Sequence, residues 1–167
     1  MAFQVQPLAA GHDREGFDCG EPALNEYLRR YARQNQDRGI GRTFVAVPEA
    51  GVRVVGFYTL AAGSVEFDEV PEHLRRRLPR YPVPVAHLGR LATCLTVRGT
   101  GLGEALLFDA VLRTFRAADA IGIVAMEVWA KTERARGFYG RYGFESLADD
   151  PLHLYLPLAT AREVLGG

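Results

Sequence analysis

The chain has 167 residues, which is the size of one globular domain. Its 48% hydrophobic content can fill a core, and its 20 basic and 20 acidic residues cancel, so no net charge attracts nucleic acid or membrane. Two cysteines, Cys19 and Cys94, have neither CxxC nor metal-site spacing with the four histidines, so we expect no metal. No targeting sequence or membrane span is recognisable, which predicts a cytoplasmic protein.

The basic residues are almost all arginine, with Lys131 as the single lysine. Arginine suits bidentate contacts with phosphate or carboxylate groups. A GC-rich coding genome would produce the same bias without functional meaning, and the composition alone favours that explanation.

The first part of the chain predicts a strand, a helix and a hairpin. Residues 3–8 alternate as in an edge strand, and a helix follows Pro22. Residues 42–47 and 52–60 form two strands of an antiparallel hairpin around the turn at 48–51. We expect the buried face of the helix to carry residues at positions i, i+3, i+4 and i+7, namely Leu24, Tyr27, Leu28 and Tyr31.

The second part alternates helices with strands. We expect residues 64–67 to continue the second hairpin strand and residues 71–78 to form a short helix. The other expected strands are residues 83–95, 121–129, 144–147 and 153–158, and the other expected helices start at Leu102 and cover residues 132–140 and 159–165. No linker or repeat interrupts the chain.

A glycine-rich turn joins the strand at 83–95 to the helix that starts at Leu102. Gly99, Gly101 and Gly103 leave the backbone bare, so several N–H groups can converge at the positive end of the helix dipole. This is a seat for phosphate or pyrophosphate, although such a turn can also be only a tight connection. Neither the P-loop nor the dinucleotide fingerprint fits the surrounding residues.

Two motifs in this order resemble the GNAT superfamily of N-acetyltransferases. Arg98, Gly101 and Gly103 match its Arg/Gln-x-x-Gly-x-Gly/Ala loop, and residues 138–144 match its FYxxxGF segment. The resemblance implies a mixed α/β (α+β) GNAT fold, in which helices flank a twisted, mostly antiparallel sheet, as a single domain over residues 1–167.

Within that superfamily, the chain looks most like toxins that acetylate aminoacyl-tRNA. The blocks that carry this likeness are FDCG at 17–20, GFYTL at 56–60, LPRYPVP at 78–84 and LGRLA at 88–92. The resemblance implies acetyl-CoA as donor, aminoacyl-tRNA as acceptor and inhibited translation. It also implies a ribbon-helix-helix antitoxin, a homodimer, and DNA contact only through the antitoxin complex.

The same resemblance implies which residues hold acetyl-CoA. Main-chain groups of Leu91 and Thr93 would bind the pantetheine and polarise the thioester carbonyl. The glycines and neighbouring amides would hold the pyrophosphate, Arg98 would add charge, and Glu104 is as well explained as a helix cap. The full set in the loop is Arg98, Gly99, Thr100, Gly101, Leu102, Gly103 and Glu104.

Tyr139 is the expected general acid, which would reprotonate the CoA thiolate. A phenol has a pKa of about 10 in water and is therefore protonated at neutral pH. The alternative is that Tyr139 only packs in the core, as we expect of Phe138 and Phe144. No general base is evident, since His87 on an apolar strand is typical of a core residue. If the amine has the low pKa of an aminoacyl ester, it arrives largely neutral and needs little base catalysis.

Two residues depart from the family pattern. Cys94 stands where relatives commonly have Asp, which leaves the role of that side chain open. Glu133 replaces an Asn that contacts CoA in many small-molecule enzymes, so no cofactor contact is expected there.

If the acceptor is tRNA, clustered arginines are candidates for a phosphate-binding surface. They are Arg29, Arg30, Arg33, Arg38, Arg75, Arg76, Arg77 and Arg90. Two alternatives remain open at this point: a GNAT enzyme that acetylates a small amine or a protein amino group, and a non-enzymatic CoA or nucleotide sensor.

Overall fold

A computed structural model describes residues 2–165 of the chain. The chain forms two compact units, one built from residues 1–61 with 89–110 and the other from residues 62–88 with 111–167. Two strands and one helix contribute residues to both units, namely β3 (Gly56–Val65), β4 (Val83–Thr93) and α3 (Leu102–Ala118).

The first unit contains the N-terminal strands and the glycine-rich turn. Strands β1, β2 and β3 are antiparallel neighbours in that order, with Val5 opposite Ala46 and Val45 opposite Phe57. The elements that lie wholly or partly in this unit are β1 (Phe3–Pro7), α1 (Pro22–Glu26), a π-helical turn (Tyr27–Tyr31), α2 (Ala32–Asp37), β2 (Arg42–Pro48), β3 (Gly56–Val65), β4 (Val83–Thr93), a 3₁₀ turn (Leu95–Val97) and α3 (Leu102–Ala118).

The second unit contains the C-terminal strands. Strands β4 and β5 are parallel, whereas β7 pairs antiparallel with both β5 and β6. Besides the ends of β3 and α3 and the start of β4, its elements are two 3₁₀ turns (Phe67–Glu69 and Glu72–Leu74), β5 (Ala125–Trp129), α4 (Glu133–Gly140), β6 (Glu145–Leu147), β7 (Asp150–Pro157) and α5 (Leu158–Leu165).

The mixed α/β class with mostly antiparallel pairing is therefore confirmed. Strands β4 and β5 pair in parallel, and α3 lies between these strands in the sequence. Parallel neighbours require such a long crossover, because a short turn can only reverse the chain.

The buried face of the first helical region differs from the expected one. Leu24, Tyr27 and Leu28 are buried as predicted, but Tyr31 is 47% exposed and Ala32 is fully buried. The π-helical turn at Tyr27–Tyr31 explains this shift. One extra residue in a turn rotates the following positions about the helix axis, so the buried face moves forward by one residue.

The second hairpin strand starts at Gly56 and not at residue 52. The backbone at residues 52–54 instead bonds to Asp13, which donates to Val52 O at 2.7 Å and accepts from Val54 N–H at 2.9 Å. Asp13 thus takes the hydrogen bonds that the strand would have used. The expected extension over residues 64–67 forms only as far as Val65, where β3 ends, and Phe67 begins a 3₁₀ turn.

Two other expected elements are shorter than predicted. The helix at 71–78 is reduced to the 3₁₀ turn Glu72–Leu74, and the bonds from Leu74 N–H to Pro71 O and from Leu78 N–H to Arg75 O are i→i+3 contacts. The expected strand at 121–129 forms only over Ala125–Trp129, and Ile121 is 59% exposed.

Each unit has its own apolar packing. In the first, Phe17 packs edge-on against Phe57 with ring centroids 5.4 Å apart, and both rings are buried. In the second, Val83, Val85 and Tyr155 belong to a buried cluster under the segment that follows β3.

Candidate active site

The start of helix α3 is held close to strand β3 at Gly56. A Cβ atom on Gly56 would lie 3.0 Å from Leu106 Cδ1, 3.1 Å from Leu102 Cδ2 and 3.3 Å from Ala92 O. Both leucines are buried, so their side chains have little room to retreat. Gly56 therefore allows the close approach that fixes the first turn of α3 and the glycine-rich turn before it.

The glycine-rich turn has the open geometry that an anion site needs. Gly99 and Gly101 have φ values of 79° and 84°, in the left-handed region that favours glycine. A Cβ on Gly99, Gly101 or Gly103 would meet no atom of the described residues within 4 Å. The turn is thus not filled by side chains.

The first amides of α3 precede its ladder of helical hydrogen bonds. Ala105 N–H donates to Gly101 O at 3.1 Å, which is the first helical bond of α3. The N–H groups of Leu102 and Gly103 precede that bond and have no acceptor within the helix. Thr100 is used within the turn, since its hydroxyl donates to Val97 O at 2.6 Å. The arrangement can bind phosphate through backbone amides at the positive end of a helix.

Arg98 connects the turn to the FDCG segment. Its Nη2 donates to Cys19 O at 3.0 Å. Asp18 in the same segment accepts from Gly20 N–H at 2.9 Å and from Asn25 Nδ2 at 3.1 Å, and these bonds lower the pKa of Asp18. Arg98 itself is exposed, so its guanidinium combines a structural contact with access to solvent.

Leu91 and Thr93 lie near the end of β4, and both are half-buried. The parallel ladder with β5 runs from Val85 opposite Ala125 to Leu88 opposite Val128, and β4 continues to Thr93 beyond its last pair. Next in the chain, Cys94 is buried and donates its amide to Val55 O at 2.8 Å, so this departure from the family pattern has a packing role.

Tyr139 lies on α4 in the second unit, whereas all the expected cofactor residues lie in the first. Its ring is 7% exposed and packs edge-on against Phe138 and Phe144, with centroids 5.2 and 5.3 Å away. Burial raises the pKa of Tyr139 to about 12, so the phenol keeps its proton throughout the neutral range. Phe144 is a core residue as expected, while Phe138 is only half-buried.

The N-terminal end of α4 carries the second departure from the family pattern. Thr132 caps the helix by accepting a hydrogen bond from Ala135 N–H at 3.1 Å. Glu133 follows it, is exposed and forms an ion pair with Arg136 at 3.2 Å. Glu133 and Arg136 both border an open cleft of about 590 Å³ beside β6.

The eight candidate tRNA arginines comprise three that are engaged in packing, one that is half-buried and four that are exposed. Arg29 donates to Phe17 O, Arg75 lies over the ring of Phe67 and Arg90 lies 3.5 Å from the centroid of the Tyr27 ring, so these side chains contribute to packing. Arg33 is half-buried. The exposed members are Arg30, Arg38, Arg76 and Arg77, of which Arg30 lies 3.8 Å from Glu26.

A buried polar network in the second unit was missed in the sequence. Glu127 on β5 accepts from His87 Nδ1 at 2.5 Å and also contacts His153 Nε2. His153 Nδ1 in turn lies 2.8 Å from Asp149 Oδ2. Burial acts to raise the pKa of Glu127, but the hydrogen bonds and charges of the two histidines outweigh it, so the pKa falls below its usual value.

One sequence signal could have revealed this network. Glu127 is the single charged residue in the apolar strand AMEVW, and a charge in a buried strand requires a partner. No group of three or more described His, Cys, Asp or Glu residues is arranged to hold a metal ion. Within residues 2–165, no helix has both the length and the apolar character to cross a membrane.

The family model for the acetyltransferase (GNAT) family matches residues 12–144. A tRNA-acetylating toxin from Mycobacterium tuberculosis (strain ATCC 25618 / H37Rv) is 46% identical over 159 residues, which cover 95% of this chain and 94% of that protein. The fold, the open turn and these matches agree. The chain belongs to the GNAT acetyltransferase family.

Solved structures of toxins have the same fold. AtaT complexed with acetyl-methionyl-tRNAfMet has a TM-score of 0.90 at 29% identity, covering 99% of this chain and 100% of that chain. An AtaT Y144F mutant toxin bound to the C-terminus of the antitoxin AtaR and acetyl-CoA has a TM-score of 0.82 at 26% identity, with both chains covered completely. A KacTA–DNA complex has a TM-score of 0.82 at 30% identity, with 99% of each chain covered.

Proposed function

We propose that this protein is a toxin that transfers an acetyl group from acetyl-CoA to the amino group of aminoacyl-tRNA and thereby inhibits translation. The observation that carries the proposal is 46% identity, over 95% of the chain, to a protein named for tRNA acetylation. The family match extends over both compact units, so we propose that residues 1–167 act as one acetyltransferase domain. Because the proposed substrate is aminoacyl-tRNA, we propose that the protein acts in the cytoplasm.

The glycine-rich turn is the proposed seat of the CoA diphosphate. Its support is the open space around Gly99, Gly101 and Gly103 and the amides of Leu102 and Gly103, which have no acceptor within the helix. Charge-assisted bonds from backbone amides to phosphate are among the stronger hydrogen bonds in proteins. Main-chain groups of Leu91 and Thr93 would bind the pantetheine, and an N–H donor there would stabilise the oxygen of the thioester carbonyl as negative charge develops on it.

Tyr139 is the proposed acid for the leaving group. The amine nitrogen forms a bond to the thioester carbon, the carbon–sulfur bond breaks, and the phenol proton passes to the CoA sulfur. The nitrogen loses one N–H proton to solvent, and solvent reprotonates the phenolate. The high pKa of Tyr139, about 12, keeps the donor protonated before each turnover. The products are the N-acetylated aminoacyl-tRNA and free CoA.

The exposed arginines are the proposed contacts for tRNA phosphates. Arg76 and Arg77 are the best placed, because both are exposed and form no ion pair among the described residues. Arg30, Arg33 and Arg38 are the proposed phosphate contacts in the first unit, whereas Arg29, Arg75 and Arg90 are engaged within the fold. Phosphate contacts of this kind raise affinity without reading sequence.

We also propose that a ribbon-helix-helix antitoxin inhibits the toxin, that the toxin forms a homodimer, and that it contacts DNA only through the antitoxin complex. The support is that structurally similar toxins are bound to an antitoxin segment or form a complex with DNA.

The test is acetylation of bulk charged tRNA by the purified protein with labelled acetyl-CoA. We expect label in the N-acetyl-aminoacyl fraction that base hydrolysis releases from tRNA, and none with uncharged tRNA. Small amines and peptides with free amino groups are run in parallel. Label in those acceptors and not in charged tRNA would refute the proposal, and acetyl-CoA binding without transfer to any acceptor would indicate a sensor.

A further inference from the structure

The FDCG segment is bonded to the stretch of chain that leads into the glycine-rich turn, and both lie in the first unit. Asp18 O accepts a hydrogen bond from Leu95 N–H at 2.9 Å, and the next carbonyl, Cys19 O, accepts from Arg98 Nη2 at 3.0 Å. Leu95 begins the 3₁₀ turn at 95–97, and Arg98 is the residue before Gly99. The stretch at 95–98 is therefore held at both of its ends by two consecutive carbonyls.

A single side chain fixes the two residues that supply these carbonyls. Asn25 lies on α1 and is 8% exposed. Its Oδ1 accepts from Cys19 N–H at 2.9 Å, and its Nδ2 donates to Asp18 Oδ1 at 3.1 Å. An amide side chain suits this position, because one planar group carries both a donor and an acceptor.

The segment has a tight conformation of its own. Gly20 has a φ of 91°, in the left-handed region that favours glycine, and its N–H donates to Asp18 Oδ1 at 2.9 Å. A Cβ on Gly20 would lie 3.4 Å from Leu95 Cδ2 and 3.6 Å from Arg98 Nη2. Little space separates the segment from the stretch at 95–98, so a shift of one would be passed to the other.

The glycine-rich turn depends on what holds its ends. Gly99 and Gly101 have no side chains, and a Cβ on either would meet no atom of the described residues within 4 Å. Side-chain packing therefore does not hold the turn at these positions. Its far end is fixed where α3 approaches Gly56, and its near end is fixed by the bonds to the FDCG segment.

We infer that Asn25 is a positioning residue for the CoA diphosphate, because through Asp18 and Cys19 it fixes the stretch at 95–98 and thereby the amides of the turn. The inference rests on the proposed function, in which that turn is the seat of the diphosphate. Amides that are fixed before binding lose less conformational freedom when the anion binds, and the affinity is higher for that reason. Asn25 itself contacts no part of the cofactor in this arrangement.

The test is calorimetric titration of Asn25→Ala with acetyl-CoA and with S-acetylpantetheine, which lacks the diphosphate. The dissociation constant of acetyl-CoA should rise about 10-fold, as expected when a hydrogen bond to a charged group is weakened. That of S-acetylpantetheine should be unchanged. In the acetylation assay, the KM for acetyl-CoA should rise while kcat stays the same. A role in stability alone would lower Tm and leave the acetyl-CoA affinity of the folded protein unchanged.

Two further variants test the route of this effect. Asp18→Ala removes the acceptor of Asn25 Nδ2 from an exposed position, so it keeps the inference testable if the buried Asn25→Ala does not fold. It should also weaken acetyl-CoA binding selectively. Arg98→Ala should do the same, and in the Asn25→Ala, Arg98→Ala double variant the combined loss should be smaller than the product of the separate losses. Residues of one hydrogen-bond network are not independent.

Asn35→Ala is the matched control, because Asn35 lies on the neighbouring helix α2 and donates to the Tyr27 hydroxyl at 3.4 Å, away from the FDCG segment. It should bind both ligands as the parent does. Parent-like acetyl-CoA affinity in Asn25→Ala or, if that variant does not fold, in Asp18→Ala would overturn the inference. So would an equal loss for S-acetylpantetheine, or losses that multiply fully with that of Arg98→Ala.

The readout separates this inference from the proposed function, because binding is measured without an acceptor. If the parent binds acetyl-CoA but does not acetylate charged tRNA, the proposed function fails and the binding data still decide the role of Asn25. If the parent binds acetyl-CoA no more tightly than S-acetylpantetheine, the diphosphate has no seat on the protein and the inference fails with it.

Discussion

Replacing Gly103 by Ala should make the protein more stable without weakening its acetyl-CoA binding, because the family loop accepts either residue at this position, whereas Gly103→Glu should weaken that binding. Gly103 is the second residue of α3, its φ is not positive, and a Cβ there would meet no described atom within 4 Å. Alanine in place of glycine stabilises a helix interior by about 1 kcal/mol, and less near an end. For a chain of this size, 1 kcal/mol raises Tm by roughly 2–4 °C, so we expect an increase of about 1–3 °C without ligand.

The Glu side chain of Gly103→Glu would project into the space that we assign to the CoA diphosphate and add a negative charge there. Loss of one hydrogen bond to a charged group costs about 1.5–3 kcal/mol, which corresponds to a roughly 10- to 100-fold higher dissociation constant. Calorimetric titration with acetyl-CoA measures this change, and thermal unfolding of the free protein measures the stability. S-acetylpantetheine, which lacks the diphosphate, should bind the variant and the parent equally.

Gly122→Glu is the control, because Gly122 also has open surroundings but lies in the loop after α3. It should not change acetyl-CoA affinity. Unchanged acetyl-CoA affinity in a folded Gly103→Glu variant would refute the placement of the diphosphate. An equal loss for S-acetylpantetheine would show that the Glu side chain disturbs another part of the cofactor site.

Three further predictions concern catalysis, tRNA binding and stability. Tyr139→Phe should lower kcat at least about 100-fold in the acetylation assay, with the dissociation constant of acetyl-CoA unchanged, and a parent-like kcat would exclude Tyr139 as the acid. Combined Arg76→Ala and Arg77→Ala should raise the KM for charged tRNA and reduce the slope of log KM against log salt by about 2. Arg116→Ala, which changes an exposed residue at the end of α3, should leave both quantities unchanged. Equal slopes for the double variant and the parent would exclude both arginines from the tRNA surface. The Tyr155 hydroxyl is buried without a hydrogen-bond partner, so Tyr155→Phe should raise the free energy of unfolding by about 1 kcal/mol in urea titrations, and a loss of stability would contradict this environment. Burial also raises the pKa of Tyr155 to about 12 from its usual 10, so the folded state disfavours ionisation of the phenol. The contribution of Tyr155 to the free energy of unfolding should therefore be constant below pH 10 and fall as the pH rises toward 12. Tyr155→Phe should reduce this fall.

Local sequence signals predicted the parts of the site that depend on neighbouring residues. The glycines of the turn, the start of α3 at Leu102 and the short helix around Tyr139 all depend on backbone preferences and helical spacing within about ten residues. The hairpin and its continuation to Val65 were predicted for the same reason. The extra residue of the π-helical turn has no such local signal, and so the exposure of Tyr31 was not predicted.

The chain's sequence by itself determined the family, the glycine-rich turn before α3 and the short helix that carries Tyr139, because each follows from a compact motif or from local periodicity. Only the tertiary structure decided which arginines are engaged in packing and which partners His87 has. Glu127 lies 40 residues from His87 and 26 from His153 in the chain. Their contact depends on the register of three strands, and that register is set by the packing of the sheet as a whole.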